Sequence, residues 1–146
     1  MTDEIMTKMA NSFLKLLAIP ALLARVVQSL DFTNVIPVES YYEVGSKFVL
    51  TWAPETRTDT FKLELSSFSG TPILVSPNGG PLGSPIYDYQ SRTILLDGAV
   101  KFTDGNYTWV VSTIDGRTGG GWYYGFAAYW DLGAAGPRSF HLKAAS

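Results

Sequence analysis

The chain has 146 residues, 46% of them hydrophobic, 14% aromatic and 16% charged, with a formal net charge of -2 and no cysteine. That length suits one domain able to bury a core without staples, and the aromatic-rich, charge-poor composition argues against disorder. No basic stripe is present to neutralise phosphates, so nucleic acid is not an expected partner, and the lack of cysteine fits any redox compartment.

Residues 1–29 differ in composition from the rest. Lys8 and Lys15 accompany an apolar run, Leu16-Leu17-Ala18-Ile19-Pro20-Ala21-Leu22-Leu23-Ala24, that is too short and too interrupted for a membrane span. Val27 and Ser29 stand at minus three and minus one from a cut before Leu30, the pattern of a secretory signal peptide. Asp3, Glu4 and Arg25 fit that pattern poorly, although initiation at Met6 or Met9 would remove the acidic pair. The competing reading is an N-terminal helix with Phe13, Leu16 and Leu17 on one face.

From Leu30 on, short apolar or alternating runs are separated by Gly, Pro, Asn and Asp clusters, the spacing of a sandwich, so residues 30–146 are read as the folded domain. A first strand is expected over 31–36, stopped by Pro37. The next, 46–52, turns Phe48, Leu50 and Trp52 inward and Lys47, Val49 and Thr51 outward. Residues 60–66 alternate most cleanly, with Phe61, Leu63 and Leu65 inward; a slip of one residue would bury Lys62 and Glu64, which sets the register. A short strand at 73–75 precedes a Pro- and Gly-rich loop over 76–85, then come an edge strand at 86–89 and a strand at 92–96. Residues 107–114 form a strand with Tyr107, Trp109 and Val111 inward. The glycines of 116–121 make the following loop costly to fix and so mobile. The aromatic strand 122–130, a break at 133–137 and a last strand at 138–142 complete the chain.

Asp104-Gly105-Asn106-Tyr107-Thr108-Trp109 is a turn running into a strand. In immunoglobulin-type sandwiches a tyrosine at this corner bonds back to the upstream backbone two residues before a core pin, here Trp109. Trp52 stands where the partner cysteine of such a domain would be. The expected fold is therefore an all-β, immunoglobulin-like (fibronectin III-like) antiparallel β-sandwich without cysteines, with Trp52 and Trp109 meeting between opposed sheets.

Four pieces together carry a family resemblance: Gly45-Ser46 before a strand ending in Thr51-Trp52, the alternation Phe61, Leu63, Leu65, the corner from Asp104 to Trp109, and the closing Ser139, Phe140 and Leu142. Over 31–142 the chain resembles the N-terminal immunoglobulin-like domain of fungal Ser/Thr-rich, often GPI-anchored cell-surface proteins related to yeast cell-wall β-glucan synthesis proteins. The resemblance implies a secreted, wall-associated, non-catalytic protein with a structural or adhesive role. This sequence shows no Ser/Thr-rich stalk or hydrophobic tail after residue 142, so a freely secreted domain is expected rather than an anchored one.

Candidate chemistry is sparse, and neither a catalytic residue nor a metal or cofactor site is expected. His141 is the lone histidine and no Gly-x-Ser-x-Gly elbow accompanies it, so alternation on its strand places it at the surface. Asp88, Asp97, Asp104, Asp115 and Asp131 lie in or beside turns, where aspartate bonds its own backbone, and no calcium-loop spacing links them. Asn106-Tyr107-Thr108 is a glycosylation sequon that has meaning only in a secreted chain. The candidate ligand-binding residues are Trp122, Tyr124, Phe126 and Trp130, which share one strand face and can stack on sugar rings as a carbohydrate-binding module. Tyr123 and Tyr129 take the other face. The bland alternative buries both sets, one under the opposing sheet and one under the Pro/Gly loop. The expected partners are cell-wall polysaccharide or another surface protein.

Overall fold

A computed structural model describes residues 30–146, and the signal peptide or helix expected over 1–29 lies outside them. Ten strands follow one another within the described residues: β1 (Tyr41–Glu43), β2 (Lys47–Thr51), β3 (Thr60–Ser69), β4 (Ile73–Ser76), β5 (Ile86–Asp88), β6 (Arg92–Lys101), β7 (Asn106–Val110), β8 (Trp122–Trp130), β9 (Gly133–Ala135) and β10 (His141–Lys143). Helical structure among them is limited to single 3-10 turns at Pro81–Gly83 and Phe102–Asp104. The all-β expectation holds.

The largest sheet is antiparallel, in the order β9-β8-β3-β6. β3 runs past the expected end at 66 because it is paired on both sides, and Ser67 and Ser69 continue its buried inward parity. β6 likewise extends beyond 96, through shifts in its register against β3 between Phe61 and Glu64. Beside that irregularity the Asp97 carboxylate accepts the Ala99 N–H at 2.9 Å, the local bond aspartate is suited to make.

β2 pairs antiparallel with β7, Phe48 opposite Trp109 and Leu50 opposite Tyr107. On the other edge of β2, the expected strand at 31–36 reduces to a Phe32–Trp52 bridge, with backbone bonds from Thr33 to Thr51 and from Ala53 to Asp31, each 2.9 Å. β1 and β10 form a short parallel pair that joins the layers. Phe140, just before β10, exchanges two backbone bonds with Tyr124 of β8, and Gly45, just after β1, donates to Val111. β1 and β9 had no sequence signal. β9 reads as a break, yet it turns back tightly enough that a Cβ on Gly133 would lie 2.8 Å from the Trp130 ring, so a larger residue there would have to displace that ring.

The expected inward faces are realised: Phe48, Leu50, Trp52, Phe61, Leu63, Leu65, Trp109 and Val111 are all buried in one core. The expected meeting of the two indoles between opposed sheets is not. Because β2 pairs with β7, Trp52 and Trp109 project from the same layer and enter adjoining aromatic groups. Trp52 packs edge-on against Phe61 at 5.3 Å and Phe32 at 6.4 Å, whereas Trp109 packs edge-on against Phe126 at 5.3 Å. Phe61 and Phe126 belong to β3 and β8, so each indole bonds the layers separately, each such ring pair worth about 0.5–1.5 kcal/mol beyond area burial.

The corner is also pinned by a different residue from the one expected. Gly105 takes the left-handed conformation at φ 74 and its carbonyl accepts the Trp52 amide at 3.0 Å. The buried Trp52 indole N–H then donates to the Phe102 carbonyl at 3.0 Å. Among the described residues no hydroxyl bond from Tyr107 closes the corner. Burial, followed by the charge of Asp97, raises the Tyr107 phenol pKa.

Candidate functional site

Strict alternation along β8 sends Tyr124, Phe126 and Ala128 into the core. The expected ligand row is therefore corrected: Tyr124 at 0% exposure and Phe126 at 4% reach no surface. The parity that aligns the four candidates also turns that face toward the β2–β7 ribbon, where Phe126 meets Phe48 and Trp109. Tyr124 has a structural task instead. Its hydroxyl accepts the Ile114 N–H at 2.9 Å and donates to the Arg117 carbonyl at 2.8 Å. With Gly119 N–H on the Leu142 carbonyl and Gly70 N–H on the Gly121 carbonyl, this ties down the loop that its glycines had marked as mobile.

Trp122 and Trp130 stand at the two ends of β8 and are only partly buried. At the Trp130 end a cleft of about 450 Å³ is lined by Thr60, Lys62, Gly98, Tyr129, Trp130 and Asp131. Lys62 lies directly across the ladder from Tyr129, which is 42% exposed, and the Trp130 ring is braced edge-on by Phe102 at 5.7 Å. An aromatic face thus sits beside a cation, a carboxylate and a hydroxyl. A second cleft of about 430 Å³ lies between the 30–36 segment and residues 136–138, with Asp31 and Arg138 among its lining.

At the Trp122 end the Arg117 guanidinium lies 4.1 Å over the indole. Beside it, on the outer face, Tyr123 stacks on Phe68 at 5.7 Å and covers His141 at 4.3 Å. His141, expected at the surface, is fully buried. Phe140 and Leu142 do face the core as alternation requires, but the opposite face is roofed by Tyr41, stacked at 4.8 Å, and by Tyr123. The histidine ring spans the Trp122 carbonyl, 2.9 Å from Nδ1, and Glu39 Oε1, 2.8 Å from Nε2. Glu39 Oε2 accepts the Tyr123 hydroxyl at 2.8 Å. That hydroxyl first, and His141 second, hold the Glu39 carboxyl below its ordinary pKa, while the same bond raises the Tyr123 phenol.

Asn106 is exposed at the first position of β7, its side-chain amide donating to the Asp104 carbonyl at 3.2 Å. Asp115 is engaged by Arg92 at 2.7 Å. Among the described residues, no group of three His, Asp or Glu side chains is placed to hold a metal ion, and no helix is long and apolar enough to cross a membrane.

Fold and site together define a cysteine-free, all-β domain with an aromatic-bordered cleft on one sheet and, at the other end of the same strand, a buried histidine bonded to an exposed carboxylate. No family model, curated protein or solved structure matches the chain. Sequence reasoning missed Glu39, Tyr41 and Lys62 as site residues. Lys62 was legible as outward on its strand, but nothing local marks Glu39 as the partner of a histidine 102 residues away.

Proposed function

We propose that this chain is a secreted, non-catalytic β-sandwich with an adhesive or structural role at a fungal-type cell wall, holding polysaccharide in the Tyr129–Trp130 cleft. The carrying observation is the cleft itself, with its exposed phenol ring beside Lys62, Thr60 and Asp131. A pyranose ring offers an apolar C–H face to an aromatic and hydroxyls to charged groups, and this lining supplies both. The non-catalytic reading draws support from His141, whose two ring nitrogens are both spent on internal contacts. An immunoglobulin-like description fits the facing layers, while the pairing of β2 with β7 and a corner held by the Trp52 indole instead of the Tyr107 hydroxyl depart from it.

Titration calorimetry with β-glucan and chitin oligosaccharides tests the ligand. Binding that Tyr129→Ala abolishes supports the cleft, and absence of heat with every oligosaccharide overturns it. A second reading, a protein-interaction module, is favoured by the β4–β5 hairpin. Residues 65–87 carry no charge, and Leu74, Val75, Leu82 and Tyr87 are exposed there. A strict monomer on size-exclusion chromatography at high concentration, together with no surface-protein capture, counts against that reading.

A further inference from the structure

We propose that Glu39 and His141 form a proton-dependent clasp that fastens the 37–43 segment to the sandwich and releases it when the proton between them is lost. The Trp122 carbonyl and an ionised Glu39 carboxylate can only accept hydrogen bonds. The Trp122 carbonyl lies 2.9 Å from Nδ1, so Nδ1 carries a hydrogen. Nε2 lies 2.8 Å from Glu39 Oε1, while Oε2 is engaged by the Tyr123 hydroxyl. One proton must therefore sit between Nε2 and Oε1, as imidazolium facing carboxylate or as neutral ring facing carboxylic acid. Its loss sets two lone pairs against each other. The ring, 0% exposed and held between Tyr41 and Tyr123, has no free space to turn into.

Glu39 and Tyr41 come from the turn before β1 and from β1 itself, and Tyr123 from β8. Arg117, over the neighbouring Trp122 ring, is bonded to the Ser67 carbonyl and lies 3.9 Å from Asp115. On the strands themselves, Lys143 is exposed and Glu43 is engaged by Ser146. None of these supplies a replacement proton at Nε2.

Besides the clasp, the segment is tied by a short run of backbone bonds, from His141 N–H to the Ser40 carbonyl at 2.9 Å, from Val44 N–H to the Lys143 carbonyl at 3.0 Å and from Gly45 N–H to the Val111 carbonyl at 2.8 Å. β1 is three residues long and, among the described residues, pairs only with β10, in parallel. Its inner side is anchored by Tyr42 against Phe48 and Phe140, and its outer side by Tyr41 and Glu39 on His141. Glu39 also sits at φ 57, a conformation that disfavours any residue but glycine and that the clasp contacts must offset.

Because the chain has one histidine, its imidazole gives a single set of signals. Long-range ¹⁵N–¹H spectra of the ring and amide protection factors, followed over roughly pH 5 to 8.5, test the idea directly. The expected result is that loss of the Nε2–Oε1 proton lowers protection of residues 41–44 at least tenfold, with β3 unchanged. Glu39→Gln provides the control that keeps the fold: its amide donates to an unprotonated Nε2 and its oxygen still accepts from Tyr123, so protection becomes independent of pH. Wild-type protection that stays flat throughout this range, or a Glu39→Gln variant that keeps the wild-type step, overturns the proposal.

Discussion

Trp52→Phe tests the claim that Trp52, and not Tyr107, holds the corner. The substitution keeps an aromatic ring against Phe61 and deletes the indole N–H that donates to the Phe102 carbonyl at 3.0 Å. Removing roughly 40 Å³ from a full core at about 24 cal/mol per Å³ costs ~1 kcal/mol in cavity. The lost hydrogen bond adds about 1 kcal/mol and not the full penalty of an orphaned group, because the Phe102 carbonyl keeps the Glu55 N–H at 3.2 Å. Lost apolar burial contributes about another 0.5–1 kcal/mol. Trp109→Phe removes the same volume from a residue with no such bond, so it is the matched control. With a urea m-value of about 1.5 kcal/mol/M, Trp52→Phe should lower the midpoint by roughly 1.5–2 M and Trp109→Phe by roughly 1–1.3 M. Far-UV circular dichroism reads both without relying on tryptophan emission. Equal midpoints for the two variants, or a larger loss for Trp109→Phe, would refute the assignment of the corner to the Trp52 indole.

Tyr124→Phe strips the Ile114 amide and the Arg117 carbonyl of a buried partner and should cost about 2–3 kcal/mol, with amide exchange of residues 114–119 rising first. On the acid side the sign is fixed by Glu39, whose folded carboxyl titrates below its ordinary value of 4.5. Its stabilisation is thus present above that value and lost as pH falls through the lowered one. The urea-midpoint gap between wild type and Glu39→Gln should therefore narrow steadily below pH 4.5. Tyr129→Ala and Lys62→Ala should shift stability by no more than about 0.5 kcal/mol, since both are surface changes, while abolishing any oligosaccharide heat. Expression through a secretory pathway should give a product whose mass falls on glycosidase treatment, and Asn106→Gln should remove that difference.

Which residues face inward was legible in the sequence. A strand turns every second side chain to the same side, and burying Lys62 and Glu64 in place of Phe61, Leu63 and Leu65 would be prohibitive, so the alternation alone fixed the inner faces of β2, β3 and β7. The same period showed that Trp122, Tyr124, Phe126 and Trp130 share a side, but not that this side is the core. That was decided by which layer came to lie against β8, and period two is blind to it. Partner choice was equally hidden. Only the assembled fold pairs β2 with β7, sends the Trp52 indole to a carbonyl 50 residues away and closes Glu39 on His141 across 102 residues. Local propensity and turn chemistry act over a few neighbouring residues, whereas these contacts arise from packing two layers together, a condition imposed on the whole chain at once.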